Sequence, residues 1–202
     1  VIGVDLSAKT DLTATTKVFL PETQGEPWIW VSRFWMPEAR VNLLSDMDRL
    51  PYRRWIEEGW ISTCAGNRID YHDVLASLRA DYETYQVIEI TFDPWNAGTL
   101  EADLMDEGVP VSEFRQGMFS YSHPTKEFLD AVIDHGIEHG GNPVLQVQAA
   151  NLVCKQDDNK NKMPAKGRSR GRIDGIVAGI MATGRAITPA AEAPKNFEYT
   201  GM

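Results

Sequence analysis

The sequence predicts an α/β fold, a mixed central sheet with helices on both faces. Three observations carry this expectation. VIGVDL at 1–6 and VIEITF at 87–92 are apolar runs of strand length, and each delivers a carboxylate at its end, Asp5 and Asp93. The first three strand-like segments follow one another across short polar connections, as strands of an antiparallel meander do. Beyond them, segments with helical spacing alternate with short apolar strands, the pattern of helices that cover a sheet.

Taken in order, residues 1–6 read as a buried strand, followed by the polar turn SAKTD at 7–11. Residues 12–20, rich in Thr and Val, read as a second strand, and 28–34 as a third. The stretch 37–59 is helical and irregular, and 60–64 reads as a short strand. Residues 71–85 form a helix with Val74, Leu75, Leu78 and Tyr82 at helical spacing and Asp70 as its N-cap. A strand at 87–92 precedes a helix at 97–107 closed by Gly108, then a strand at 109–114. Residues 125–138 are expected to be a helix with Phe128, Leu129, Val132 and Ile133 on its apolar side. Residues 144–154 are expected to be extended or mixed, and 156–171 a polar, basic loop. An amphipathic helix at 173–187 carries Ile173, Ile176, Val177, Ile180 and Met181 on one face. The expected domain is therefore 1–187, with 188–202, rich in Ala and Pro, as a flexible tail.

Composition narrows the function. Hydrophobic residues are 43% of the 202, with six Trp and seven Phe to anchor a core, and charged residues are 24%, which excludes a largely disordered chain. No apolar run approaches the roughly 20 residues that cross a bilayer, and no secretory signal is visible. Cys64 and Cys154 have no metal-binding spacing and read as free thiols in a reducing compartment. The net charge of −9 argues against a protein that coats DNA passively. It is compatible with an enzyme whose acidic site needs metal ions before DNA approaches. A start at Val1, already inside an apolar run, is expected of a piece of a longer protein.

Three carboxylates stand at the ends of elements. Asp5 and Asp93 end their strands, and Asp174 lies in the first turn of the last helix. If the two strands pair in parallel, Asp5 and Asp93 emerge at one sheet edge, and a helix crossing that edge adds Asp174. Clustered carboxylates repel one another and need a compensating cation; hard oxygen ligands suit Mg²⁺ or Mn²⁺. Two such ions about 3.5–4 Å apart activate a water and stabilise the leaving oxygen of a phosphodiester. Each acid also has a local reading. Asp5 caps the SAKTD turn, Asp93 opens a turn before Pro94, and Asp174 is favoured by the helix dipole.

The segments FRQGMFSYSHPTKEFLDAVIDHGIEHGGNPVLQVQAANLVCKQD and RIDGIVAGIMATGRA, with GVDLSAKTDLTA and FDPWNAGTLEADL before them, resemble the nuclease half of phage terminase large subunits. The resemblance covers nearly all of residues 1–187, and four motifs in the right order make it specific. It implies a ribonuclease-H-like fold and a two-metal endonuclease that cuts concatemeric double-stranded DNA during genome packaging. It maps the acidic triad, catalytic and metal-binding, onto Asp5, Asp93 and Asp174. It implies an ATPase half in the same polypeptide, the portal protein and the small terminase subunit as partners, and work in the host cytoplasm, transiently at the procapsid portal. The chain has no GxxxxGK[ST] loop, so the ATPase half is expected to be absent from it.

Other signals are weaker. Asp11 reads as a turn cap or an outer carboxylate, and Asn96 as a helix cap or a neighbour of metal-bound water. His135 and His139 are four apart, but Glu138 is misplaced for HExxH, and a structural role is favoured; a supporting role for His139 rests on the resemblance alone. Residues 155–172 hold seven basic and two acidic side chains, a local charge of +5 that leaves −14 on the remainder. Lys160, Lys162, Lys166, Arg168, Arg170 and Arg172 are the candidate DNA-binding residues, in a loop that ends two residues before Asp174; a solvated connector is the alternative. Three competing functions stand beside the nuclease. They are a nucleotide-binding module of the actin and sugar-kinase kind, a portal-docking domain without catalysis, and another ribonuclease-H-like enzyme such as a junction resolvase.

Overall fold

The structure is a computed structural model and describes residues 1–6, 12–23 and 25–188, without the side chains of 95–97. The meander forms as expected: β1 (Ile2–Asp5) pairs antiparallel with β2 (Thr13–Phe19), and β2 with β3 (Trp28–Pro37). Around this centre β4 (Ile61–Cys64) adds in parallel to β3, β5 (Ile90–Phe92) in parallel to β1, and β6 (Val111–Glu113) in parallel to β5, giving the order β4-β3-β2-β1-β5-β6. A two-residue strand, β7 (Ile137–Glu138), pairs with the start of β3. Val4 lies opposite Phe92, so the next residues, Asp5 and Asp93, leave the sheet side by side.

Strand alternation then decides which face each side chain meets. Ile2, Val4, Ile90 and Phe92 share a core with Val74, Leu75 and Leu78 of α3 (Tyr71–Thr84) and Leu100 and Leu104 of α4 (Pro94–Asp106). Gly3 and Asp5 therefore face the opposite side. That side is covered by α5 (Met118–Ile133), α6 (Pro143–Asn151) and α7 (Asp174–Ala186), packed on Trp30, Phe34 and Met36. Two short helices, α1 (Val41–Asp48) and α2 (Tyr52–Glu57), fill the connection from β3 to β4 and join the same core.

The last helix lies against the sheet more closely than a side chain allows. A Cβ on Gly3 would stand 1.9 Å from the Ala178 carbonyl oxygen, and one on Gly179 would stand 2.1 Å from the Trp30 ring. Glycine at these two positions lets α7 press onto β1 and β3. That seating carries the start of α7, with Asp174, to the end of β1.

Several elements differ from expectation. The strand expected at 87–92 is paired only over Ile90–Phe92, because Val87 closes a turn on Tyr85 and Ile88 is 66% exposed. The helix expected at 125–138 is Met118–Ile133 and runs through Pro124. The proline forgoes one backbone bond, but it is buried and packs where α7 has Gly184. Most of the residues expected to be extended or mixed form α6, with Asn142 accepting from the Val144 and Leu145 amides as N-cap and Pro143 at the first turn. The basic loop is an antiparallel hairpin, β8 (Cys154–Gln156) with β9 (Lys162–Pro164), then a single 3-10 turn at Lys166–Arg168. The expected tail falls almost wholly outside the described residues, as do Asp11 and the side chain of Asn96. Cys64 and Cys154 are free thiols, and among the described residues no helix is long and apolar enough to cross a membrane.

Candidate active site

Asp5 is 2% exposed at the end of β1. Its Oδ1 accepts from the Lys166 ammonium at 2.8 Å, and its Oδ2, buried and without a well-directed hydrogen bond, lies 2.6 Å from the same nitrogen. The ammonium also lies 3.7 Å from Asp174 Oδ1. One lysine thus bridges two of the three expected acids. Burial works against its charge, but Asp5, Asp174 and Asp93 outweigh that and hold the lysine above its ordinary pKa. Burial pushes the Asp5 carboxyl up; Lys166 pulls it down and Asp93 adds to the rise.

Asp174 is held from behind. The amide of its neighbour Gly175 donates to Gln148 Oε1 of α6 at 2.6 Å, and the Thr16 hydroxyl of β2 donates to the Gly175 carbonyl at 3.0 Å. A first-turn carboxylate ordinarily gains from the helix dipole. Here burial, followed by the Asp5 charge, dominates and raises Asp174 to about 7. A carboxyl that titrates near neutrality this close to a second one marks a site short of positive charge.

Asp93 follows β5 directly, half-buried, and its charge reaches both Asp5 and Lys166. Tyr121 of α5, 1% exposed, has a hydroxyl without a hydrogen-bond partner among the described residues. Burial and the charges of Asp5 and Asp93 push its phenol well above the usual range. Among the described residues no three acidic, His or Cys ligands are drawn together tightly enough to hold a metal ion. Asp5 and Asp174 share the Lys166 ammonium instead, and the charge of Asp93 reaches it.

The basic residues divide. Lys160, Lys162, Arg168 and Arg170 are exposed on the hairpin and the segment after it. The hairpin turn is organised by Asp157, which accepts from the amides of Asn159 and Asn161, and Asn161 accepts from Ser122 of α5 at 2.8 Å. Lys166, expected with the DNA-binding strip, sits within the acid cluster. Arg172 is not solvent-facing: its side chain is 14% exposed and its Nε donates to Asp48 at 2.7 Å. His135 is exposed with a left-handed backbone (φ 53°), and His139 is half-buried after β7. No short-range signal marks Tyr121, Asp48 or Gln148, because each reaches the site from a distant segment.

The family model described as the terminase large subunit endonuclease domain matches residues 1–189. Over 199 residues the chain is 33% identical to the large terminase subunit of Enterobacteria phage HK97, covering 97% of this chain and 39% of that protein. Over 196 residues it is 31% identical to protein YmfN of Escherichia coli (strain K12), covering 93% and 43%. The chain thus spans about two-fifths of the length of these relatives. The crystal structure of the HK97 large terminase superposes with a TM-score of 0.83 at 31% identity, over 91% of this chain and 38% of that one. The large terminase nuclease of thermophilic phage G20c, solved also with bound magnesium, superposes with TM-scores of 0.56 and 0.55 at 13% and 14% identity, over 90% of this chain and 78% of each. Those distant neighbours share the ribonuclease-H-like fold. By the match over nearly its whole described length, the chain belongs to the endonuclease-domain family of terminase large subunits.

Proposed function

We propose that this domain cuts double-stranded viral DNA by metal-dependent phosphodiester hydrolysis, resolving concatemers at the start and end of packaging. The observation that carries the reading is the Lys166 ammonium shared by Asp5 and Asp174 and felt by Asp93. Three carboxylates with Lys166 and the more distant Arg172 charge are undercompensated, and divalent ions would correct the imbalance. The donors at hand among the described residues are oxygens, and the buried Asp5 Oδ2 has the Lys166 ion pair but no well-directed hydrogen bond; both features suit Mg²⁺ or Mn²⁺ rather than a thiolate-seeking metal. The G20c relative solved with magnesium supports the same choice.

In this reading Asp5, Asp93 and Asp174 hold the metal, two ions in all. When bound, such ions supply an activated water and offset charge on the leaving oxygen. The protein's own part is to fix the three acids: β1 and β5 set Asp5 beside Asp93, and Gln148 and Thr16 fix the start of α7. Lys166 lowers their mutual repulsion. Lys160, Lys162, Arg168 and Arg170 draw DNA phosphates towards an otherwise negative surface. Family membership supports an ATPase domain in the same polypeptide, the portal protein and the small terminase subunit as partners, in the host cytoplasm and transiently at the procapsid portal.

Incubation with supercoiled plasmid tests the reading. Cutting is expected with Mg²⁺ or Mn²⁺, none in EDTA, and none from Asp5→Asn, Asp93→Asn or Asp174→Asn proteins that still fold. Full cutting in chelator, or wild-type rates from any of the three variants, overturns it.

A further inference from the structure

The geometry points to Asp48, braced by Tyr52, as a positioning residue that sets the Arg172 guanidinium against the acid site; this rests on the nuclease reading above. Asp48 is the last residue of α1, in the connection between β3 and β4, and lies 124 residues from Arg172 in sequence. A single oxygen, Asp48 Oδ2, accepts from Arg172 Nε at 2.7 Å and from the Tyr52 hydroxyl at 2.7 Å. Tyr52 is itself locked, 1% exposed and edge-on to Trp55 with ring centroids 5.5 Å apart. The backbone on the other side is held too: the Asn151 side-chain amide donates to the Arg172 carbonyl at 3.3 Å, and the Arg170 amide donates to the Asn151 carbonyl at 3.1 Å.

Burying this guanidinium is costly: its side chain is 14% exposed, and it lies two residues before Asp174 in the chain. The Asp174 charge reaches Tyr52. A surface strap does not need a half-buried arginine two residues before a metal-site acid, nor a buried tyrosine to steady its partner. The arrangement does suit a cation that must hold one orientation while charge builds on a phosphate. Arginine binds phosphate through a planar fork, so its angle matters as much as its charge. A carboxylate gripping Nε fixes that angle before DNA arrives. The α1–α2 connection, far from the reacting atoms in sequence, then acts on the chemistry through its grip on Arg172.

Plasmid cleavage kinetics in Mn²⁺ provide the test, on wild type, Asp48→Asn, Tyr52→Phe, Arg172→Lys and the Asp48→Asn/Arg172→Lys double variant, each checked for an unchanged melting profile. Lysine keeps the positive charge, so the rate stays measurable, but it lacks the Nε that Asp48 grips. Asp48→Asn is expected to lower kcat about tenfold or more with KM nearly unchanged, since a misaimed transition-state donor costs turnover rather than binding. Tyr52→Phe should fall less. The double variant should cut no more slowly than Arg172→Lys if Asp48 acts through the arginine. Wild-type kcat in Asp48→Asn, or two losses that multiply in the double variant, overturns the inference. A wild type that fails to cut at all sinks the nuclease reading instead.

Discussion

Two lysine–aspartate pairs with a buried acid share a 2.6 Å separation and differ in the charges around them. Lys17 of β2 meets Asp81 of α3 with both side chains at most 5% exposed. That carboxylate has a second cation, Arg33, at 3.2 Å, and the lysine lies 4.9 Å from the centre of the Tyr85 ring. Two cations serve one acid, the pair is closed, and it straps the helical layer onto the sheet. Lys166 meets Asp5 with the acid 2% and the lysine 46% exposed. Here Lys166 pairs with two of three neighbouring acids, and the charge of Arg172 reaches only Asp174. The lesson is stoichiometric. A buried pair with surplus positive charge is finished structure, whereas under the proposed function a pair with surplus negative charge is where a metal ion would enter.

Removing the acid from each pair should have opposite consequences for the two sites. Asp81→Asn leaves Lys17 buried without its counter-charge and should cost about 3–5 kcal/mol of stability. Asp5→Asn relieves repulsion from Asp93 and Asp174, and should leave the metal-free domain within about 1 kcal/mol of wild type. Urea unfolding of the two variants in EDTA decides it; equal losses would erase the distinction.

A smaller effect sharpens it through pH. Asp174 is raised from 3.8 to about 7 in the folded chain. The folded state therefore holds the proton more tightly than the unfolded state, and stability present below about pH 4 is lost as pH rises towards 7. Without metal, the domain should melt at a higher temperature at pH 5 than at pH 8, and Asp174→Asn should flatten that part of the slope. An unchanged slope in the variant would place the titration elsewhere.

These contrasts also explain what is legible in the sequence. The strand ends are legible because apolar runs stopping at Asp5 and Asp93 need only a local period and one parallel pairing. The start of α7 is legible from its spacing of apolar residues. The helix α6 is easily taken for a strand although Asn142 and Pro143 announce it, because the valines that follow favour extended backbone. Lys166 reads as one more positive charge in a basic loop. Its place among the acids depends on the hairpin's docking against α5, anchored in part by the Asn161–Ser122 bond, and no local pattern records that. The Asp48–Arg172 bond spans 124 residues and is invisible for the same reason.

The smallest expected effect concerns the four outward-facing basic residues, which contribute charge without fixed geometry. Replacing Lys160, Lys162, Arg168 and Arg170 with Ala should weaken duplex binding in Ca²⁺ across sequences. The salt dependence of log K should flatten by about 0.9 for each phosphate that is no longer neutralised. An unchanged slope would make the hairpin a solvated connector. Substitution of Lys166 belongs to a different class, because it changes the charge balance of the acid cluster itself.

The most direct measurement is an anomalous-scattering map from a crystal soaked in Mn²⁺. The proposed function predicts metal peaks among Asp5, Asp93 and Asp174, with the Lys166 ammonium moved off Asp5, and no peak at the Lys17–Asp81 pair. A soak that supports plasmid cutting in solution yet leaves Lys166 on Asp5, with no metal among the three acids, would contradict it.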